Sequence, residues 1–204
     1  MNHFAYYIDI VPVKKHIQDH LARTPNIVEV YRRIISMYVY TLHHAIKLKS
    51  LPAFAVSIYE KEVIDPHSPN TVRIQYKLRV FGKKEGAVVN LVHVLNKFNT
   101  FQKSSNISEV RSVPDDVSQW EIVQRVRIPP TTSGNEEALA LAAAIKNDPN
   151  NNYINLLTSS SKAKNKSLIR YYYTRITVDR DNLTSKLDGY GFSRKNKKVC
   201  IPLF

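Results

Sequence analysis

An α+β fold follows from three features of the chain: two alternating apolar strands flank a long amphipathic helix, two strand-like runs meet at a proline-containing turn, and a second apolar helix precedes another short strand. His3 to Val13 is rich in Tyr, Ile and Val and reads as the first strand. Thr24-Pro25 then offers a cap and a first-turn proline, with Glu29 close behind. In the stretch that follows, Ile27, Val30, Tyr31, Ile34, Tyr38, Leu42 and Ala45 recur at spacings of three and four, which predicts one long helix ending in Lys47 and Lys49. Ala53 to Val63 and Thr71 to Phe81 read as strands joined by the turn DPHSPN. A helix over about Ala87 to Phe98 and a strand from Ile107 to Val113 complete a βαββαβ order across residues 1–112, the split or ferredoxin-like arrangement.

Residues 113–204 predict a smaller α/β domain. Trp120 to Ile128 reads as a strand broken by Pro129-Pro130, and Asn135 to Lys146 as an alanine-rich helix. Tyr153 to Leu157 and Leu168 to Val178 read as strands around a Ser/Lys loop, and two short strands end the chain.

The 204 residues carry 30 Lys+Arg against 17 Asp+Glu, a formal net charge of +13. The excess is uneven: residues 1–112 and 153–204 each carry +8, while 113–152 carry −3. Such a balance favours phosphate backbones or anionic membranes as partners, and we read it as a positively charged groove between the two domains. Five glycines form neither a G-x-x-x-x-G-K-[ST] nor a G-x-G-x-x-G loop, which argues against a glycine nucleotide cradle. A single cysteine, Cys200, excludes an intrachain disulfide and a multi-cysteine zinc site. The N-terminus has Asp9 inside its apolar run and does not read as a signal peptide, and the longest uncharged apolar run is about eight residues. A soluble cytoplasmic protein without cofactor or metal is the expectation.

All seven histidines lie before residue 94. His43 and His44 fall outside the apolar stripe of the first long helix. Imidazole titrates near neutrality and suits general acid–base work, although the same position suits a merely solvated histidine. No carboxylate cluster accompanies the pair, which argues against a metal there. In the loop TSSSKAKNKS, four hydroxyls precede Lys162, Lys164 and Lys166, a composition that suits a phosphodiester as well as a solvated loop. Of Tyr171 to Tyr173, alternation places at least one in the core and leaves another to stack on a base.

The C-terminal run LDGYGFSRKNKKVCIPLF holds a Y-G-[LF]-S turn, a basic stretch and a terminal apolar-Pro-apolar-Phe. It is joined by an M-x-H-[YF] start, an L-H-x-A-[LI] segment at Leu42 to Ile46, V-S-[FI] at Val56 to Ile58, Val113-Pro114 and Arg125-Val126. Colinear across almost the whole chain, these motifs resemble the subtype I-F CRISPR repeat endoribonucleases, the Csy-type branch of the pre-crRNA processing family. The resemblance implies a metal-independent endoribonuclease that cuts CRISPR precursor RNA at the 3′ base of the repeat stem-loop. The ribose 2′-OH attacks the adjacent phosphate, giving cyclic-phosphate and 5′-OH ends, and the enzyme stays on the crRNA 3′ end within a type I-F surveillance complex. The alternative is a non-catalytic RNA-stem-binding subunit on the same scaffold.

Carried over by motif, the resemblance places the catalytic histidine on His43 and the tyrosine on Tyr190. It places the active-site hydroxyls on Thr158 and Ser160, with Ser159 as a possible substitute and Ser161 beside them. Arg125 and Arg127 fall on a base-reading strand, where arginine favours guanine. Two departures stand out. The family's arginine-rich helix corresponds to NEEALALAAAIKND, which has no arginine, and its stacking aromatic corresponds to Ile169, followed by Arg170. RNA binding is therefore expected from Lys162, Lys164, Lys166, Arg170 and the basic turn at Arg194, Lys195, Lys197 and Lys198, while the alanine-rich helix packs on its own domain or serves a neighbouring subunit.

Overall fold

The computed structural model describes residues 4–65, 68–129, 135–148, 151–158, 167–179, 187–195 and 198–204. The chain divides into two units, residues 1–115 with 189–191, and residues 116–188 with 192–204. Both are built on antiparallel sheets, and the class is α+β. No helix among the described residues is long and apolar enough to cross a membrane.

In the first unit, β1 (Tyr6–Pro12), α1 (Lys14–Leu21), α2 (Ile27–Leu48), β2 (Ala55–Asp65), β3 (Ser68–Gly82), α3 (Glu85–Leu95), α4 (Asn99–Ser104), β4 (Ser105–Ile107) and β5 (Arg111–Ser112) follow in order. The sheet runs β2-β3-β1-β4, so β3 separates β1 from β2. Register explains the core. Ile8 and Val56 both oppose Val80, while Ile10 and Ile58 both oppose Leu78. These six side chains share one face, and all are buried. Helices α2 and α3 pack there, with Val30, Ile34, Tyr38, Leu42 and Ala45 of α2 almost wholly buried. Tyr38 stacks on Phe101 at 5.2 Å and donates its hydroxyl to the Ser104 carbonyl at 2.6 Å. Burial pushes its phenol up to about 12, against the pull of hydrogen bonds to Ser104 and Ser105, so it remains a neutral donor.

Local details differ from expectation for identifiable reasons. The cap of α2 is Asn26, whose side chain accepts from Glu29 N at 3.1 Å, not Thr24, whose hydroxyl takes the Arg33 guanidinium at 3.2 Å. Helix α1 was not expected, because KKHIQDHL offers little apolar periodicity and the helix has no buried residue. The helix expected over residues 87–98 starts earlier, at Glu85, and ends at Leu95 before the separate α4. The expected strand from Ile107 to Val113 is two pieces, both paired with β1. Between them the Ser108 hydroxyl accepts from Asp9 N at 2.9 Å, substituting a side chain for the next rung of the ladder.

The second unit contains β6 (Gln119–Val126), α5 (Glu136–Asn147), β7 (Asn152–Thr158), β8 (Ser167–Val178) and β9 (Ile201–Leu203). Its sheet, β7-β8-β6-β9, is antiparallel throughout, so the expected α/β label gives way to α+β here too. Among the described residues one terminal strand is present rather than two, with an isolated bridge between Leu187 and Ser193 beside it. Tyr171, Tyr172 and Tyr173 are all buried. Tyr171 and Tyr173 flank Phe192 at 5.3 and 5.6 Å, and Tyr172 packs on Tyr153 at 5.6 Å. None is left to stack on a base, contrary to the expectation from alternation, because both faces of β8 are covered here.

On the sheet face away from α2 and α3, Asp9 opposes Arg79. Its carboxylate accepts from Arg79 Nε at 2.7 Å, Arg79 NH2 at 3.0 Å and Lys77 Nζ at 3.0 Å. Burial by itself would raise the Asp9 carboxyl, but the hydrogen bonds and charges of Arg79 and Lys77 outweigh it and hold it below the usual carboxylate range. A depressed carboxyl contributes stability above its unfolded pKa of about 3.9, and that contribution is lost as pH falls through the folded value. Asp9→Asn is therefore expected to cost about 3 kcal/mol at pH 7. Urea unfolding at pH 7 and pH 3 checks it: the gap between wild type and variant should shrink in acid, and an equal gap at both pH values would contradict the assignment.

Candidate functional site

His43 lies near the end of α2, between buried Leu42 and the half-buried His44. A 100° step from a buried residue takes the next side chain off the core stripe but not fully into water, and His43 is accordingly half-buried. Its Nδ1 makes a short hydrogen bond with the Gly189 carbonyl. A carbonyl oxygen accepts, so Nδ1 carries the hydrogen, and in the neutral ring Nε2 holds the lone pair. The Tyr190 ring packs on the imidazole with centroids 4.4 Å apart and planes tilted by 32°. His44 turns instead to the Tyr40 ring, at 4.4 Å and 63°.

The absence of Cβ atoms at its two glycines lets the Gly-Tyr-Gly segment approach this closely. A Cβ on Gly189 would stand 2.9 Å from His43 Cε1. Gly191 has a φ of +86°, and a Cβ there would stand 2.7 Å from the Phe54 carbonyl oxygen. Its own carbonyl accepts from Val56 N at 3.1 Å, which fixes the segment along β2. By contacts, residues 189–191 belong with the first unit, whereas the whole Y-G-F-S motif was expected in the second domain. The flanking residues close the turn: Asp188 N donates to Phe192 O at 2.8 Å, and Phe192 N donates to Asp188 Oδ1 at 3.1 Å.

The remaining expected site residues fall in the second unit. Thr158 is the last residue of β7, opposite Ser167. Ser159, Ser160, Ser161, Lys162, Lys164 and Lys166 lie outside the described residues, as does Lys197. Arg125 is half-buried on β6, with its guanidinium 4.5 Å from the centre of the Tyr171 ring. Arg127 lies one residue beyond the end of β6 and is exposed. Arg170 is exposed on β8 with its guanidinium 4.9 Å from the centre of the Tyr153 ring, and Arg194, Lys195 and Lys198 are exposed. In α5, Leu139 and Leu141 are about half exposed, while Ala142 is buried. Among the described residues, no group of three His, Cys, Asp or Glu side chains is placed to hold a metal ion.

Sequence reasoning missed the Gly189 carbonyl and the platform of Phe54 and Val56. The available signal was the spacing G-Y-G, two glycines around one aromatic.

No protein-family model matches the chain, and no curated protein matches it. Among solved structures it is similar to a variant chlorite dismutase from Candidatus Nitrospira defluvii, with 10% identity, a TM-score of 0.29, and coverage of 85% of this chain and 78% of that one. A likeness at that level carries no argument about fold or function.

The hydrogen bond to Gly189 predicts that neutral His43 is the Nδ1–H tautomer. Nitrogen NMR of the imidazole at pH 8 checks this, and an Nε2–H tautomer would break the assignment. Gly191→Ala should lose about 1 kcal/mol or more in denaturant unfolding, because its φ is one that alanine resists.

Proposed function

We propose that the chain is a metal-independent endoribonuclease. It cuts CRISPR precursor RNA at the 3′ base of the repeat stem-loop and remains on the crRNA 3′ end as a subunit of a type I-F surveillance complex. In this reading the first unit is a ferredoxin-like domain, in keeping with the strand order β2-β3-β1-β4, and the second is an RNA-binding domain.

The observation that carries the reading is the meeting of His43 with Gly189 and Tyr190. The resemblance assigns the family's histidine and tyrosine to His43 and Tyr190 from motifs at distant places in the chain. The Gly189 contact spans 146 positions, and the two rings pack at a 32° tilt. The chemistry follows from the tautomer. With Nδ1–H held by the carbonyl, Nε2 accepts the proton of the ribose 2′-OH, the 2′ oxygen bonds to phosphorus, and the bond to the 5′ oxygen breaks. The leaving 5′ oxygen takes up a proton, so the products are a cyclic phosphate and a 5′-OH. Tyr190 acts through its ring, holding the imidazole plane. Thr158 and Ser160 orient the ribose or scissile phosphate. Arg125 and Arg127 read bases, and Arg170, Arg194, Lys195 and the lysines at 162, 164 and 166 neutralise stem phosphates.

His43→Ala should lower the cleavage rate about 100-fold or more with little change in repeat affinity. Tyr190→Phe, which keeps the ring, should cost less. The assay is repeat RNA with protein in EDTA, scored for a 5′-OH fragment; binding without cleavage would favour the non-catalytic stem-binding subunit. Replacing Lys162, Lys164 and Lys166 by alanine should flatten the salt dependence of binding by about two to three units, and an unchanged slope would place the RNA elsewhere.

A further inference from the structure

The sheet face opposite α2 and α3 holds a second set of side chains that the site at His43 does not use. Asp9 opposes Arg79, Tyr59 opposes Lys77, and Tyr7 opposes Arg111. A cleft of about 430 Å³ opens on this face, with Tyr59, Lys77, Asn106, Ser108, Arg111 and Asp9 among its walls. That volume falls in the range of small-ligand sites.

Charge decides what it attracts. Both oxygens of Asp9 are engaged by Arg79 and Lys77, so three cations, with Arg111, stand against one neutralised carboxylate. Arg111 is exposed and makes no ion pair among the described residues. The surplus favours an anion despite the carboxylate in the wall. Beside these cations Tyr59 supplies a flat wall, its ring centre 5.2 Å from Lys77 Nζ and 4.9 Å from Arg79 Cζ. The Asn106 amide adds paired donor and acceptor groups, the chemistry that reads a base edge. An anion joined to a planar ring meets every one of these features.

We propose that this cleft is a second binding site, for a phosphorylated nucleoside, with Arg111 and Lys77 on the phosphate, Tyr59 against the base and Asn106 at its edge. The ligand is either a free mononucleotide or one nucleotide of an unpaired RNA strand. The site is separate from the residues assigned to cleavage, and its chemistry does not depend on that assignment.

The test measures binding of a single-stranded hexanucleotide unable to form a stem, of AMP and of inorganic phosphate to the full chain. Arg111→Ala, Tyr59→Leu and the same-charge control Lys103→Ala are compared with wild type. Arg111→Ala and Tyr59→Leu should each weaken the nucleotide ligand about tenfold, and Lys103→Ala less than about twofold. AMP binding with this dependence identifies a free nucleotide as the source, and binding confined to the hexanucleotide identifies a strand. Equal losses in Arg111→Ala and Lys103→Ala, phosphate bound as tightly as AMP, or no binding by wild type would overturn the proposal. Arg111 is exposed, so its variant keeps the test valid should Tyr59→Leu misfold. Stem-loop cleavage is followed in parallel. Cleavage without cleft binding sinks this inference alone, and cleft binding without cleavage sinks the endoribonuclease reading alone.

Discussion

Helix α2 buries Val30, Ile34, Tyr38, Leu42 and Ala45 in the core of the first unit, and a stripe of period 3.6 leaves its neighbours no choice of direction. Leu42 and Ala45 are at most 1% exposed, so rotating the helix to reposition His43 would lift them into water. Truncating a buried leucine costs about 2–5 kcal/mol, and a rotation would forfeit several such contacts together. Tyr38 adds a directional lock, since its neutral hydroxyl must find the Ser104 carbonyl. The imidazole therefore inherits its position from the core.

Orientation of that imidazole is a separate matter, met by the sequence DGYGF. Gly189 presents a carbonyl where a side chain would collide with His43, and Gly191 turns the backbone through a region that other residues resist. Between them Tyr190 lays its ring on the imidazole. Asp188 engages the Tyr171 hydroxyl and Phe192 N, and Phe192 is wholly buried against Tyr171 and Tyr173. Within the first unit, the bond from Val56 N to the Gly191 carbonyl limits how far the three-residue segment can wander, which is what a fixed tautomer requires.

What could be read in advance followed from periodicity. The α2 stripe and the long strands β2, β3 and β8 were legible because each repeats its pattern for many residues, and the place of His43 beside the stripe came with them. Features set by one side chain were not. Helix α2 starts at Ile27, so Asn26 rather than Thr24 stands at its cap, and between β4 and β5 the Ser108 hydroxyl accepts from Asp9 N, 99 positions away. The G-Y-G spacing marks a close backbone approach but not its partner, since a backbone oxygen is common to every residue and only its place in space makes it one. The tyrosine run misled for the opposite reason: alternation is real, but β8 is covered on both faces at Tyr171, Tyr172 and Tyr173.

The charge of +13 likewise divides by structure rather than by composition. Arg32 and Arg33 are paired with Glu29, Lys77 and Arg79 with Asp9, and Arg175 with Glu121. In the one-to-one pair of Arg175 with Glu121 the anion cancels much of the field, whereas Glu29 and Asp9 each face two cations and leave one positive charge over. Exposed groups such as Arg111, Arg127, Arg194 and Lys195 add to the long-range attraction. Helix α5 contributes nothing to it: Glu136 and Glu137 outweigh Lys146, and the exposed surface includes Leu139 and Leu141. In the endoribonuclease reading proposed above, positive charge held on strands and turns would meet phosphates at fixed points rather than along a continuous track.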